Sequence, residues 1–368
     1  KSVFFNIFII LFSIILSLEA VAGKKCKKPL ESRYWVAADD GSEKFWHDSA
    51  NWSKTSGGKP GKAKAPTRCQ IAKFDGNSIA NVKLGEDVNK VKKFQVSSGY
   101  SGTINLNGHH LASQMNIALH GGIVLVPANS FLQTWGDLYI YKGGTVTASG
   151  DGKIKVKKNV RIEGKLTAPG GDHTRFIVHG GFNVYSGGTF IHSNGTVTFS
   201  TQRTGHAINI VGEGNFYNIY KNARKHLILS KPIEVENNLT NIGRGKIITL
   251  GKNITIGGDL DFYQLGIDSW RKNFTAGNGK VIFDGSSAQT IKSPADFNNV
   301  QISNPDVSLL TAATVTGTLT IGTLTIDTDA TLDLNGNDLD LTDATLVNYG
   351  NLQLQGGETV VITTMDTN

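Results

Sequence analysis

From about residue 80 onward the chain consists of short runs in which apolar and polar residues alternate, punctuated by Gly, Asn or Asp. Lys153-Ile-Lys-Val-Lys157, Val160-Arg-Ile-Glu-Gly164 and Thr318-Leu-Thr-Ile-Gly-Thr-Leu-Thr-Ile326 show the pattern. In Leu332-Asp-Leu-Asn-Gly-Asn-Asp-Leu-Asp-Leu341 two such runs flank a turn. A period of two sends successive side chains to opposite faces, so each run reads as a strand with one dry and one wet side. No segment sustains the 3.6-residue period of a helix. Strands this short do not easily cover a broad sandwich, but they can form the sides of a coil. Composition agrees: 43 glycines in 368 residues and 18% charged residues suit many tight turns. The 8 prolines and the lack of a Gly-X-Y period exclude collagen, and 39% hydrophobic residues exclude a disordered chain.

Internal repeats point the same way. Asn194-Gly-Thr-Val-Thr-Phe199 returns further along as Asn278-Gly-Lys-Val-Ile-Phe283. Phe216-Tyr-Asn-Ile-Tyr220 follows the first copy and Phe297-Asn-Asn-Val-Gln-Ile302 the second. Ile104-Asn-Leu-Asn-Gly108 is echoed by Leu332-Asp-Leu-Asn-Gly336. The span from one copy to the next holds three to four coils of roughly 20–25 residues. The expected fold is all-β, a parallel β-helix (β-solenoid) whose stacked coils bury one apolar column that includes Phe199 and Phe283. A pair of β-sandwich domains is the competing architecture and would pair its strands antiparallel.

The two ends differ from the middle. After Lys1, the stretch from Val3 to Leu18 is a nearly unbroken apolar run, interrupted by Asn6 and Ser13. It falls short of the ~20 residues of a membrane span. It leads into Ala20-Val21-Ala22, the small-x-small form of a signal-peptidase site. Residues 1–22 thus read as a secretory leader, cleaved or retained. Secretion implies an oxidising compartment, where Cys26 and Cys69 would form a disulfide closing an N-terminal loop. Two cysteines alone do not make a zinc site, which usually needs four ligands.

Residues 34–75 carry a different signature: Tyr34-Trp35-Val36, Phe45-Trp46-His47-Asp48, Asn51-Trp52-Ser53, Gly57-Gly58-Lys59-Pro60 and Phe74-Asp75. This pattern resembles the opening segment of bacterial secreted β-solenoid proteins with autotransporter-associated β-strand repeats. Val281-Ile-Phe-Asp-Gly-Ser-Ser-Ala-Gln-Thr-Ile291, with Phe297-Asn-Asn-Val300, resembles their repeat units. The resemblance implies a right-handed β-solenoid, passenger-like and exposed outside the cell. Proteins of the autotransporter type carry a C-terminal barrel, a pattern not found in these residues. A solenoid needs its first coil covered, and Trp35, Trp46 and Trp52 stand where an N-terminal cap is required. An aromatic sugar-binding platform is the other reading of the same three residues. The expected organisation is therefore a leader at 1–22, a Trp-rich cap at 23–80 and a solenoid at 81–368.

Candidate chemistry is sparse. Asp172-His173-Thr174-Arg175 with His179 is the best local cluster, since residues six apart on a continuous strand share a face. Gly170 and Gly171 beside it favour a loop instead. His109 and His110 would point to opposite faces. Gly336-Asn337-Asp338 partly matches a calcium-roll repeat, but the motif is not iterated. P-loop, Gly-x-Ser-x-Gly and His-Glu-x-x-His motifs do not occur. No catalytic residue, metal ligand or cofactor is assigned.

Charge is more informative. The net +7 divides into −10 over residues 293–368, which hold no Lys or Arg, and +17 over the remainder. In a solenoid, sequence position maps onto axial position, so a basic body (81–292) should be followed by an acidic end (293–368). Asp327, Asp329, Asp333, Asp338, Asp340 and Asp343 form the candidate assembly end. Opposite charges steer head-to-tail contact, and a heterologous contact of that kind builds open filaments. The expected function is a non-enzymatic, extracellular or cell-surface structural or adhesive protein, self-associating as a fibre subunit. Its basic body could meet an anionic polysaccharide or the cell envelope. Nucleic acid is not expected, because the Lys and Arg residues form no compact basic–aromatic motif. A carbohydrate-active or polysaccharide-binding β-helix is the alternative.

Overall fold

The alternating runs become strands whose apolar residues all face one interior. In the computed structural model, the described residues are 26, 30–201, 207–212, 214–262, 274–275, 277–292, 299–303, 307–309, 319–320, 323–336 and 338–366. The chain divides into two units, Lys1–Glu31 and Ser32–Asn368. The leader expected at 1–22 lies outside the described residues. The second unit is an all-β solenoid. Its helical content among the described residues is one 3-10 turn, Ser49–Asn51, whose Ala50 N–H donates to Asp48 Oδ1 at 2.8 Å.

Four long sheets, of 12, 7, 13 and 9 strands, run along the stack. Each coil contributes one strand to each side it passes. Leu138–Ile140, Thr145–Ala148 and Lys153–Val156 lie in the 12-, 7- and 13-stranded sheets, and Val160–Ile162 returns to the 12-stranded one. Leu138 pairs in parallel with Val160 on the next coil, and Val160 with Phe182 on the one after. Parallel pairing from coil to coil answers the sandwich alternative. An antiparallel pair, Trp35 with Trp52, lies at one end of the 12-stranded sheet. Parallel pairing already includes Lys44–Phe45 with Val82–Lys83 and Gln70–Phe74 with Lys93–Val96, ahead of residue 81. The 7-stranded sheet ends on Thr189–Ile191, and the 9-stranded sheet begins on Gly214–Phe216.

The inward residues form unbroken columns. Phe94, Ile117, Leu138, Val160, Phe182 and Ile210 stack in register inside the 12-stranded sheet, all buried. Each such side chain contributes about 1.5–3 kcal/mol by leaving water. Phe199 and Phe283 are both fully buried, as expected. They belong to different sheets, however: Phe199 to the 13-stranded and Phe283 to the 9-stranded one. The repeated motif is thus a strand-and-turn signal, not a marker of rotational position in the coil.

The corners use distinct chemistry. Between the 12- and 7-stranded sheets, glycines stack. Gly144 and Gly164 occupy successive coils, and a Cβ on Gly164 would collide with the Gly144 and Tyr141 carbonyl oxygens. Between the 13- and 12-stranded sheets, side chains ladder from coil to coil. Asn116 Oδ1 accepts from the Asp137 N–H (2.9 Å), Asp137 Oδ1 from the Asn159 N–H (3.0 Å), and Asn159 Oδ1 from the Gly181 N–H (2.8 Å). A second ladder runs through Asn218, Asn238 and Asp259, each accepting from the next coil, the last from the Thr290 N–H. Each rung satisfies a backbone donor that the corner removes from the sheet.

Candidate functional site

With the interior filled, function falls to the outer faces. The Trp segment is not one of them. Trp35, Trp46 and Trp52 are 0–1% exposed and pack against Phe74, with ring centroids 5.7–5.8 Å apart. Trp46 also stacks on Phe94. Trp35 Nε1 donates to the Ala80 carbonyl at 3.1 Å and Trp52 Nε1 to the Trp46 carbonyl at 2.7 Å, so both indole donors are satisfied. A sugar platform needs an open ring face, and these rings have none. Neither Cys26 nor Cys69 is free, both being disulfide-bonded.

The cluster at residues 172–179 splits into two places. The strand Gly171–Val178 pairs with Gly195–Phe199, but its register shifts between Gly171 and Phe176, and residues 172–174 overhang the sheet as exposed backbone. Arg175 pins the overhang by donating to the carbonyls of Gly150 (2.9 Å) and Gly170 (3.3 Å). Asp172 accepts from the Thr174 hydroxyl and N–H, which hold its carboxyl below the usual range. His173 packs on Tyr220, centroids 4.6 Å apart. Asp172 and His173, with Thr196, Asn218, Tyr220, Asn238 and Thr240, line a recess of about 200 Å³. That is small beside the ~300–1,000 Å³ of ordinary ligand pockets. His179 lies elsewhere, its Nε2 3.3 Å from Lys157 Nζ. Burial first, then Lys157 and Lys155, push its pKa down to about 4, so its ring is neutral at pH 7 and accepts from the ammonium. The two histidines therefore do not converge.

The outer face of the 13-stranded sheet brings together two rows; the lysine row is legible in Lys153-Ile-Lys-Val-Lys157, but its neighbour on the sheet is not. Phe131, Gln133 and Trp135 point outward from one coil, and Lys153, Lys155 and Lys157 from the next. The outer face of the 12-stranded sheet holds a smaller patch. There the Arg161 guanidinium lies 5.4 Å from the Tyr139 ring and 6.0 Å from Tyr185, and His120 stacks on Tyr141 at 3.9 Å.

Of the six acids of the expected assembly end, three accept hydrogen bonds that tie neighbouring coils together. Asp327 accepts from Gln301 and Ser303, Asp333 from Asn335 and Gln355, and Asp338 from the Thr359 N–H. Asp329 is exposed on a turn with φ of 66°. Asp340 and Asp343 belong to the strand Leu339–Asn348, and their side chains lie outside the described residues. Among the described residues, no three His, Cys, Asp or Glu side chains come together as metal ligands, and no helix is long and apolar enough to cross a membrane. Comparison with protein-family models, curated proteins and solved structures gives no match.

Proposed function

We propose that this chain is a structural, adhesive β-solenoid that works outside the cell without bond-making chemistry of its own. In this reading the solenoid is right-handed, its Trp segment caps the first coil, and the disulfide reflects an oxidising compartment. The observation that carries the reading is the coil-to-coil register. It turns outward side chains into long rows, which suits repetitive surface contact better than a single reaction centre. The axial order also sets the +17 part of the chain against the −10 part. That separation favours head-to-tail contact between copies, screened beyond a Debye length of about 8 Å at physiological salt.

Electron microscopy of the purified protein tests the assembly. Filaments or end-to-end chains are expected at low salt and should shorten as salt rises. Isolated particles at every ionic strength would remove self-association from the reading.

A further inference from the structure

The strand Lys153–Val156 lies beside Phe131–Thr134 on the 13-stranded sheet, with Phe131 opposite Lys153 and Gln133 opposite Lys155. The row continues past the strand ends, because the Lys157 N–H donates to the Thr134 carbonyl at 2.9 Å and sets Lys157 beside Trp135. Three cations thus face outward along one coil at a spacing of about 6.6 Å, and an aromatic–amide–aromatic row runs about 4.8 Å away on the coil before it. Trp135 is 38% exposed, and Lys90 Nζ sits 5.4 Å from its ring. Phe131 is stacked on His110 at 4.6 Å, which fixes its ring. On the far side of the lysine row stand Arg175 and His179.

Nothing in the fold needs this arrangement. Like charges held close on a sheet face are destabilising. Among the described residues, none of the three lysines has a carboxylate within ion-pair distance. Burial first, and then the neighbouring Lys155, depress the pKa of Lys157. A linear chain of anionic groups would relieve that repulsion. The neighbouring rings add a second requirement: flat apolar surface on the same repeating unit, open to stacking. A pyranose bearing a carboxylate or sulfate has both, an apolar C–H face and a charged edge.

We propose that the paired rows Phe131–Gln133–Trp135 and Lys153–Lys155–Lys157 form a binding site for an acidic polysaccharide laid along the coil. The site rests on the extracellular, adhesive reading and names its ligand class. Lysine ammoniums serve as point charges for the acidic groups, while the exposed part of Trp135 offers apolar contact to a sugar ring and Phe131, held against His110, borders the row.

The test is calorimetric titration of the full chain with oligogalacturonate, with neutral dextran and with oligothymidylate. Oligogalacturonate should bind, and binding should weaken as salt is raised. Dextran should not bind. The combined variant Lys153→Glu, Lys155→Glu, Lys157→Glu should lose at least about tenfold in affinity, and Trp135→Ala a similar amount. Lys142→Glu with Lys231→Glu, an exposed pair elsewhere, should bind as the wild type does. Far-UV circular dichroism and melting of each variant establish that it is folded; if the triple charge reversal unfolds the coil, Lys155→Gln replaces it. Tighter binding to oligothymidylate would reassign the face to nucleic acid. Equal binding by wild type and folded variants, or no binding to either anion, would remove the site. Filament formation, read separately by microscopy, would then leave the structural reading standing.

Discussion

Lys221 is an unexpected residue in the core of this protein. It is 0% exposed, inside a strand that reads Asn218–Lys221, and it takes the inward position that Phe199 holds on the coil before it. Its Nζ donates to the carbonyls of Ala223 (3.0 Å) and Gly245 (2.5 Å) and to Asn241 Oδ1 (3.2 Å). Burial pushes its pKa down to about 7 from 10.5. The unfolded chain therefore binds the extra proton between those values, and this residue's contribution to stability rises with pH across that window. Each acceptor also keeps a second donor: the Gly245 N–H for Ala223, the Asn241 amide for Gly245, and the Gly243 N–H for Asn241. Lys221→Met should then cost less than about 1 kcal/mol near neutral pH, because no acceptor is orphaned. The wild type should gain on the variant as pH rises toward about 10. Urea unfolding of both proteins at the two pH values checks this; a loss of several kcal/mol near neutrality would show that the ammonium is indispensable to the turn.

At the scale of strands and corners, the alternation of small runs was readable because it is local. Lys153-Ile-Lys-Val-Lys157 folds as written, with Ile154 and Val156 inside. Left-handed turn positions were equally readable, since Asn107 and Asn335, at φ of 48° and 47°, stand in the echoed Leu-Asn-Gly segments. The ladders were not. Asn116, Asp137 and Asn159 sit on three successive coils, and only the coil length, itself variable, brings them into line. The ladder rung makes a definite claim. Asn159→Ala leaves the Gly181 N–H without its acceptor, removes the amide that donates to Asp137 Oδ1, and should destabilise the protein by about 1–3 kcal/mol; Asn159→Asp keeps the acceptor but sets a second carboxylate against Asp137, so it should not restore the loss at neutral pH. Denaturant midpoints of the two variants against wild type measure it. The candidate site shows the same limit. Asp172, His173 and His179 were visible as a cluster in sequence, but a register shift separates them. The aromatic and lysine rows lie a full coil apart in the chain and become neighbours through pairing alone.

Over the whole molecule, stability is a sum over coils and their interfaces, so an end matters more than its size suggests. Trp52 packs edge-on to both Trp35 and Trp46. If the Trp segment is the cover of the first coil, Trp52→Ala should lose about 3–5 kcal/mol, read as a lower urea midpoint. A variant of unchanged stability would remove the cap. The all-β class and the order of charge along the chain are legible in the residues alone, because alternation, turn residues and chain direction act over a few residues at a time, whereas parallel pairing joins segments a whole coil apart. Which side chains of different coils become neighbours is settled only by pairing in three dimensions. Phe199 and Phe283 carry one motif onto two different sheets, and Trp135 meets Lys157 across a coil boundary. Those neighbours depend on how many residues each coil uses to close, and that length is set by the packing of the column, not by any one stretch of chain.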